Sequence, residues 1–253
     1  MSDPQVSIVI INYNKPEVIT KCVTTLAITE GVTYEVVVVD NGSGPETVER
    51  LNQLSDQGLI DTLVLSPVNT LFTEGNNLGV ANTNPNSEYI LILNSDVAFL
   101  KPEWLTKVLR WMEGTAEHKP CVWDFAPAQP TPGPKDIISV GWSHDATIEG
   151  RVRPEGWCCL FRRTAWKDMS TDFKWCYGLE EMIANQVRAG FKCGVLFNYA
   201  PYLVHREGAS GKIPAGTFQD TRAPDMPGWY NGILIESLDF TLGPNEHDSY
   251  LQW

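Results

Sequence analysis

The chain has 253 residues, 43% of them hydrophobic and 20% charged, with 20 Gly and 17 Pro. These proportions sit near the globular average and exclude collagen-like, coiled-coil and wholly disordered chains, and the length suffices for one large or two small domains with a sizeable core. Asp and Glu outnumber Lys and Arg by 31 to 19, a net charge of −12, which disfavours a long nucleic-acid footprint while leaving room for a local basic patch.

The first hundred residues alternate strand and helix. Val6 to Ile11 is a continuous apolar, β-branched run, the pattern of a strand buried on both faces. Pro16 opens a helix on which Val18, Ile19, Cys22, Val23 and Leu26 recur at helical spacing. Glu35 to Val39 is a second buried strand. Asp40-Asn41-Gly42-Ser43-Gly44-Pro45 breaks it and offers caps for a helix over 46–55. Thr62 to Leu65 is a short third strand, Gly75 to Ala81 is helical, Tyr89 to Leu93 is the fourth strand, and Pro102 opens a helix through Met112. Strands alternating with helices predict parallel βαβ units and an α/β sheet.

From 114 to 150 the pattern dissolves among Pro120, Pro127, Pro130, Pro132 and Pro134, which predicts a loop-rich insertion or a segment at a site. Order returns near Trp157, with a helix over 179–189 and strands near 193–198 and 201–205. The last 48 residues show no period. No internal repeat or second α/β unit is visible, so a single domain over 1–253 is expected, with a regular α/β half over 1–113 and a loop-rich half over 114–253.

MSDPQ lacks a basic n-region and runs directly into a strand pattern, so no signal peptide is expected. No apolar run approaches the roughly 20 residues that span a bilayer. The expected location is cytoplasmic. Cys22, Cys121, Cys158, Cys159, Cys176 and Cys193 contain no CxxC pair and read as reduced thiols rather than a zinc or redox site. The sequon Asn41-Gly42-Ser43 then carries no glycosylation meaning. Cys158 and Cys159, adjacent in a strand, should pack on opposite faces.

In an open parallel sheet, ligands bind beyond the carboxyl ends of the strands. Those ends carry Asn12-Tyr13-Asn14, Asp40-Asn41-Gly42-Ser43 and Asn94-Ser95-Asp96. Each group alone reads as well as a turn or cap; together they place amides, a tyrosine and two carboxylates along one edge. Neither G-x-G-x-x-G nor a Walker motif follows the first strand, which removes dinucleotide-fold dehydrogenases and P-loop enzymes. Phosphates bound here need another holder, and a hard cation on Asp96 supplies one.

The segments VSIVIINYN, EVVVVDNGS, NTLFTEGNNLGV, YILILNSDV, GWCCLFRR, YGLEEM with Gly190 downstream, and YLVHREGAS occur in this order over residues 6–210. In this order they resemble a family 2 glycosyltransferase of the GT-A fold, and in particular the rhamnosyltransferase-like branch. The resemblance implies an α/β nucleotide-sugar-binding fold with a mostly parallel central sheet flanked by helices. It makes 1–113 the nucleotide-binding half and 114–253 the acceptor half, places Tyr13 and Asp40 against the base and ribose with Asn12, Asn14 and Asn41 as further nucleotide-sugar-binding residues, and puts Asn69, Asn76 and Asn77 in the loop and helix beside the donor. Asn94, Ser95 and Asp96 stand where the family has its D-x-D motif, with Asp96 as metal ligand for Mn2+ or Mg2+. Glu180-Glu181 stands where the family has Glu-Asp, with the second acid as general base. His205 stands where members place a metal- or diphosphate-binding His.

The residue types suit that chemistry. Inverting transfer needs one base for the acceptor hydroxyl and a cation or fixed dipoles for the departing nucleoside diphosphate. The chain departs from the pattern in having Asn at 94, Glu at 181 and a shorter spacing from the acid pair to Arg188 and Gly190. The acids also read as first-turn residues favoured by the helix dipole; Glu181 is the expected base, with Glu180 as the alternative. Arg151, Arg153, Arg162, Arg163 and Lys167 form either a solvated face or a patch for a diphosphate or anionic acceptor. Trp142, Trp157, Trp166 and Trp175 crowd the same half, and Trp157 with Arg162 are the candidate acceptor-binding residues. The expected reaction moves a sugar from a UDP- or dTDP-sugar to a hydroxyl of a glycan or glycoconjugate. Transfer to a modified base in DNA and a non-catalytic nucleotide-sugar or carbohydrate-binding module are the alternatives.

Overall fold

Continuous apolar runs become central strands because parallel strands are covered on both faces. In a computed structural model, which describes residues 2–113, 121–122, 137–142, 155–172, 178–189, 191–196, 202–206 and 233–235, β1 (Val6–Asn12), β2 (Tyr34–Asn41), β3 (Thr62–Ser66) and β4 (Tyr89–Asn94) lie parallel in the order β3-β2-β1-β4. The helices α1 (Pro16–Leu26), α2 (Pro45–Asp56) and α3 (Leu71–Ala81) connect them. The chain runs outward from β1 to β3 and then returns to the other side of β1 as β4. The crevice between the carboxyl ends of β1 and β4 is therefore the topological switch point.

Beyond β4 come β5 (Val97–Phe99), α4 (Trp104–Met112), β6 (Cys121–Val122), β7 (Ile137–Trp142) and β8 (Glu155–Arg162). A 3-10 turn over Arg163–Ala165, α5 (Gly178–Arg188), β9 (Lys192–Leu196), β10 (Leu203–His205) and β11 (Ile233–Ile235) follow. The large sheet runs β3-β2-β1-β4-β8-β7-β9-β11-β6. Only β8 and β6 oppose the common direction. β10 pairs antiparallel with β5 in a separate two-stranded ladder.

The alternation of β1 divides the core. Val6, Ile8 and Ile10 face α1, α2 and α4, where Ile19, Cys22, Leu51, Trp104 and Leu105 are buried. Val9 faces the other layer with Val37, Ile90, Phe161, Leu179 and Ile183. Full burial of each such side chain contributes about 1.5–3 kcal/mol. Gly79 lets α3 sit directly on the sheet: a Cβ there would lie 2.3 Å from Val9 Cγ1. Cys158 and Cys159 fall in opposite layers, as their adjacency in a strand requires, and neither is in a disulfide.

Some expectations shift. α3 begins at Leu71 rather than Gly75, because Leu71 takes a left-handed φ of 63° that turns the chain into the helix early. The segment 114–150, expected as loop, contributes β6 and β7 among its described residues. Trp175 and Gly190 lie outside the described residues. No helix among the described residues is long and apolar enough to cross a membrane.

Candidate active site

Three strand ends converge at the switch point. At the end of β2, Asp40 is 1% exposed, and Asn12 at the end of β1 is fully buried beside it. Asn12 Nδ2 donates to Asp40 Oδ1 at 3.1 Å. Ser43 donates twice, from its backbone N to Oδ2 at 2.9 Å and from Oγ to Oδ1 at 2.5 Å. Ser43 Oγ in turn accepts from Asn14 N at 2.7 Å, and Asn14 Oδ1 accepts from Gly44 N at 3.1 Å. The β1–α1 loop makes this link through two successive left-handed residues, Asn14 and Lys15. A carboxylate offers about four lone-pair sites; three are engaged, and one on Oδ2 is left for a ligand. Tyr13 stands 45% exposed beside this cluster, open to a planar partner.

Asn41 works on the opposite face of β2. Its Nδ2 donates to Leu71 O at 3.0 Å, and its Oδ1 accepts from Thr70 Oγ1 at 2.6 Å. Asn69 Oδ1 accepts from Leu71 N at 2.9 Å. Gly42 has φ 74°, and a Cβ on it would lie 2.8 Å from the carbonyl carbon of Val68, so only glycine lets the loops after β2 and β3 touch. Asn76, fully buried on α3, donates Nδ2 to Phe72 O at 2.9 Å. The Oδ1 atoms of Asn76 and Asn12 are buried without a hydrogen-bond partner. An unmet buried acceptor costs about 1–3 kcal/mol, so both atoms suit a ligand or water donor. Asn77 instead holds Met169 by paired bonds at 2.9 Å, tying α3 to the segment after β8.

At the end of β4, Asn94 is half-buried, Ser95 is 4% exposed and Asp96 is 1% exposed. The β5–β10 ladder sets His205 opposite Val97, and Arg206 N donates to Asp96 O at 2.9 Å. That register brings His205 Nε2 to 3.2 Å from Asp96 Oδ1. Trp157 stacks on the imidazole, ring centroids 4.5 Å apart and 10° from parallel. Beneath Asp96 lies Cys22, whose thiol burial, and then the Asp96 charge, push well up. It stays a neutral thiol.

A carboxylate and an imidazole converging in this way fit a divalent cation in kind. Among the described residues no third His, Cys, Asp or Glu completes a metal cluster, which leaves further positions to the oxygens of a ligand.

Of the other expected site residues, Trp157 is at this cluster, while Arg162 and Glu181 lie apart from it. Arg162 pairs with Tyr89, the first residue of β4, and therefore stands at the opposite end of the sheet. There its guanidinium meets Glu113 Oε1 and Tyr89 Oη at 3.0 Å and Met112 O at 2.7 Å. Trp157, at 4% exposure, presents its face to His205. Glu181 lines a groove of about 380 Å3 between α5 and residues 164–170, with Lys167, Asp168, Ser170 and Asn185. Glu180 precedes it on the same turn. Ser43, Thr70 and Leu71, which complete the Asp40 and Asn41 clusters, lie inside motif segments of the sequence but were not among its expected site residues. The run D-N-G-S was the one signal for Ser43, as a turn residue able to reach back to Asp40.

Residues 7–125 match the family model described as Glycosyl transferase family 2. The match covers the strand ends bearing Asn12, Asp40 and Asp96. Two solved structures share the fold of this chain. One is the mannosyltransferase PcManGT from Pyrobaculum calidifontis in complex with GDP-Man and Mn2+, with TM-score 0.58 and 16% identity over 76% of this chain and 55% of that one. The other is S. aureus TarS 1-349 in complex with UDP, with TM-score 0.56 and 15% identity over 79% of this chain and 59% of that one. The chain thus spans between half and two thirds of each. At these identities the likeness is one of fold: an α/β sheet, mostly parallel and flanked by helices, as in GT-A glycosyltransferases. No curated protein sequence matches the chain.

Proposed function

We propose that the protein is a metal-dependent inverting glycosyltransferase of the rhamnosyltransferase-like branch, built as one domain. It would move a sugar from a UDP- or dTDP-sugar to a hydroxyl of a glycan or glycoconjugate. The observation that carries this reading is the placement of two buried carboxylates, Asp40 and Asp96, at strand ends on either side of β1 at the switch point. The complexes of PcManGT with GDP-Man and Mn2+ and of TarS with UDP support a nucleotide-sugar ligand for this fold.

Asp40, oriented by Asn12 and Ser43, accepts a hydrogen bond from the nucleoside through its remaining Oδ2 capacity, and the exposed Tyr13 covers the base. Asn69, Asn76 and Asn94 border the sugar side. Asp96 and His205 would hold Mn2+ or Mg2+, which supplies positive charge for the departing diphosphate. Glu181, in the groove along α5, takes the acceptor proton. Of the basic patch that would favour a modified base in DNA as acceptor, Arg162 turns to Glu113 and Arg163 to Ser7, Thr83 and Ser87, while Arg151 and Arg153 lie outside the described residues.

Calorimetry with UDP, dTDP and GDP tests the reading. One of them should bind, more tightly with Mn2+ than without, and Asp96→Ala should abolish the Mn2+ effect. Equal affinity with and without Mn2+ in the unaltered protein contradicts the metal role, and no binding of any of them contradicts the nucleotide site.

A further inference from the structure

Leu71 is held in a left-handed conformation, φ 63°, which is unfavourable for a bulky side chain and persists where neighbours impose it. The neighbours here are two amides: Asn41 Nδ2 holds Leu71 O at 3.0 Å, and Asn69 Oδ1 holds Leu71 N at 2.9 Å. Asn41 is itself 2% exposed and follows Asp40 directly. The turn so imposed starts α3 at Leu71 and sends the next side chain, Phe72, across to the second half of the chain. Phe72 packs against the core layer that contains Leu179. The two meet over Gly156 at the start of β8: a Cβ there would lie 3.5 Å from Leu179 Cδ2 and 3.6 Å from Phe72 Cζ. Leu179 is the second residue of α5 and immediately precedes Glu180 and Glu181.

A continuous line of packed groups therefore joins the nucleoside-side loop to the helix bearing the acid pair. We infer that Phe72 is a positioning residue that sets the first turn of α5, and with it the general base, from a strained turn anchored by Asn41. Its activity readout rests on the proposed glycosyl transfer; its structural readout does not.

The test uses the full chain with Phe72→Ala and Phe72→Leu. Amides 182 to 185 bond back to the carbonyls of the first turn of α5, and their hydrogen exchange reports whether that turn is held. Phe72→Ala should speed their exchange about tenfold or more and lower the kcat of transfer about tenfold or more, since misplacement by about 1 Å costs up to a hundredfold. The affinity for the nucleoside diphosphate should stay within about twofold. Phe72→Leu should restore most of both losses. Unchanged exchange overturns the inference, as does unchanged kcat despite faster exchange, or a loss of nucleotide affinity as large as the loss of kcat. If Phe72→Ala does not fold, Gly156→Leu, which wedges Phe72 from Leu179, carries the same expectations, and wild-type behaviour there overturns it. If the unaltered protein uses no nucleotide sugar, the proposed function has failed, and the exchange arm decides the inference by itself.

Discussion

Asp40 shows how one side chain serves both fold and site. It accepts from Asn12 Nδ2 and from Ser43 N and Oγ, so Asp40→Ala strands three donors and would remove the proposed nucleoside contact. We expect a loss of nucleoside diphosphate affinity of about 1.5–3 kcal/mol, the range for hydrogen bonds to a charged group, measured by calorimetry, together with a lower melting temperature. Unchanged affinity contradicts the role of Asp40. The acid pair separates by kinetics. Adjacent helical residues point about 100° apart, so Glu181→Gln should lower transfer at least about a hundredfold at unchanged nucleotide affinity, and Glu180→Gln should do less. The opposite order makes Glu180 the base. Two thiols add a pH dependence. Burial, as the leading cause, raises the pKa of both Cys22 and Cys158 above the ordinary 9.0. A raised folded-state pKa leaves stability intact below the unfolded value and loses it above. Each thiol should therefore cost about 1.4 kcal/mol of stability per pH unit above about pH 9. Urea midpoints from pH 8 to 10.5 check this, and serine at both positions should flatten the slope.

At the scale of elements, the sheet's first half was legible because β1 to β4 are continuous apolar runs separated by capped helices. β6, β7 and β11 were not, because two to six residues acquire strand form only from partners distant in the chain. The same non-locality hid what Trp157 and Arg162 do. The antiparallel β4–β8 register sends Arg162 to the amino end of β4, and the β5–β10 ladder brings His205 under Trp157; neither follows from the local sequence. Asn12, Asp40 and Asp96 were legible because they follow strands that were. Leu71 gave no signal, since leucine is not a residue from which a left-handed turn is read. The packing of α3 yields its own prediction. Gly79→Ala puts a methyl 2.3 Å from Val9 Cγ1 between helix and sheet, and overpacking of this kind costs about 1–3 kcal/mol. A urea midpoint equal to that of the unaltered protein contradicts the close approach.

For the molecule as a whole, β8 joins the parallel strands of the first half to those of the second, and the switch point between β1 and β4 lies within one continuous sheet. The buried polar groups there, Asn12, Asp40, Asn76 and Asp96, have stability costs that make sense around a charged, hydrogen-bonding ligand rather than in a purely structural core. The net charge of −12 adds a condition: a polyanionic donor, if the proposed function holds, would approach against the overall field, so a divalent cation should assist its binding beyond simple ionic strength. The central claim is sugar transfer from a nucleotide donor. Its most direct measurement is a panel of UDP-, dTDP- and GDP-sugars incubated with the full chain and Mn2+, scored for release of nucleoside diphosphate and free sugar in the absence of an acceptor. The account predicts slow hydrolysis of at least one UDP- or dTDP-sugar, lost in EDTA and in Asp96→Ala. Failure to release nucleoside diphosphate from every donor, with either Mn2+ or Mg2+, would contradict it.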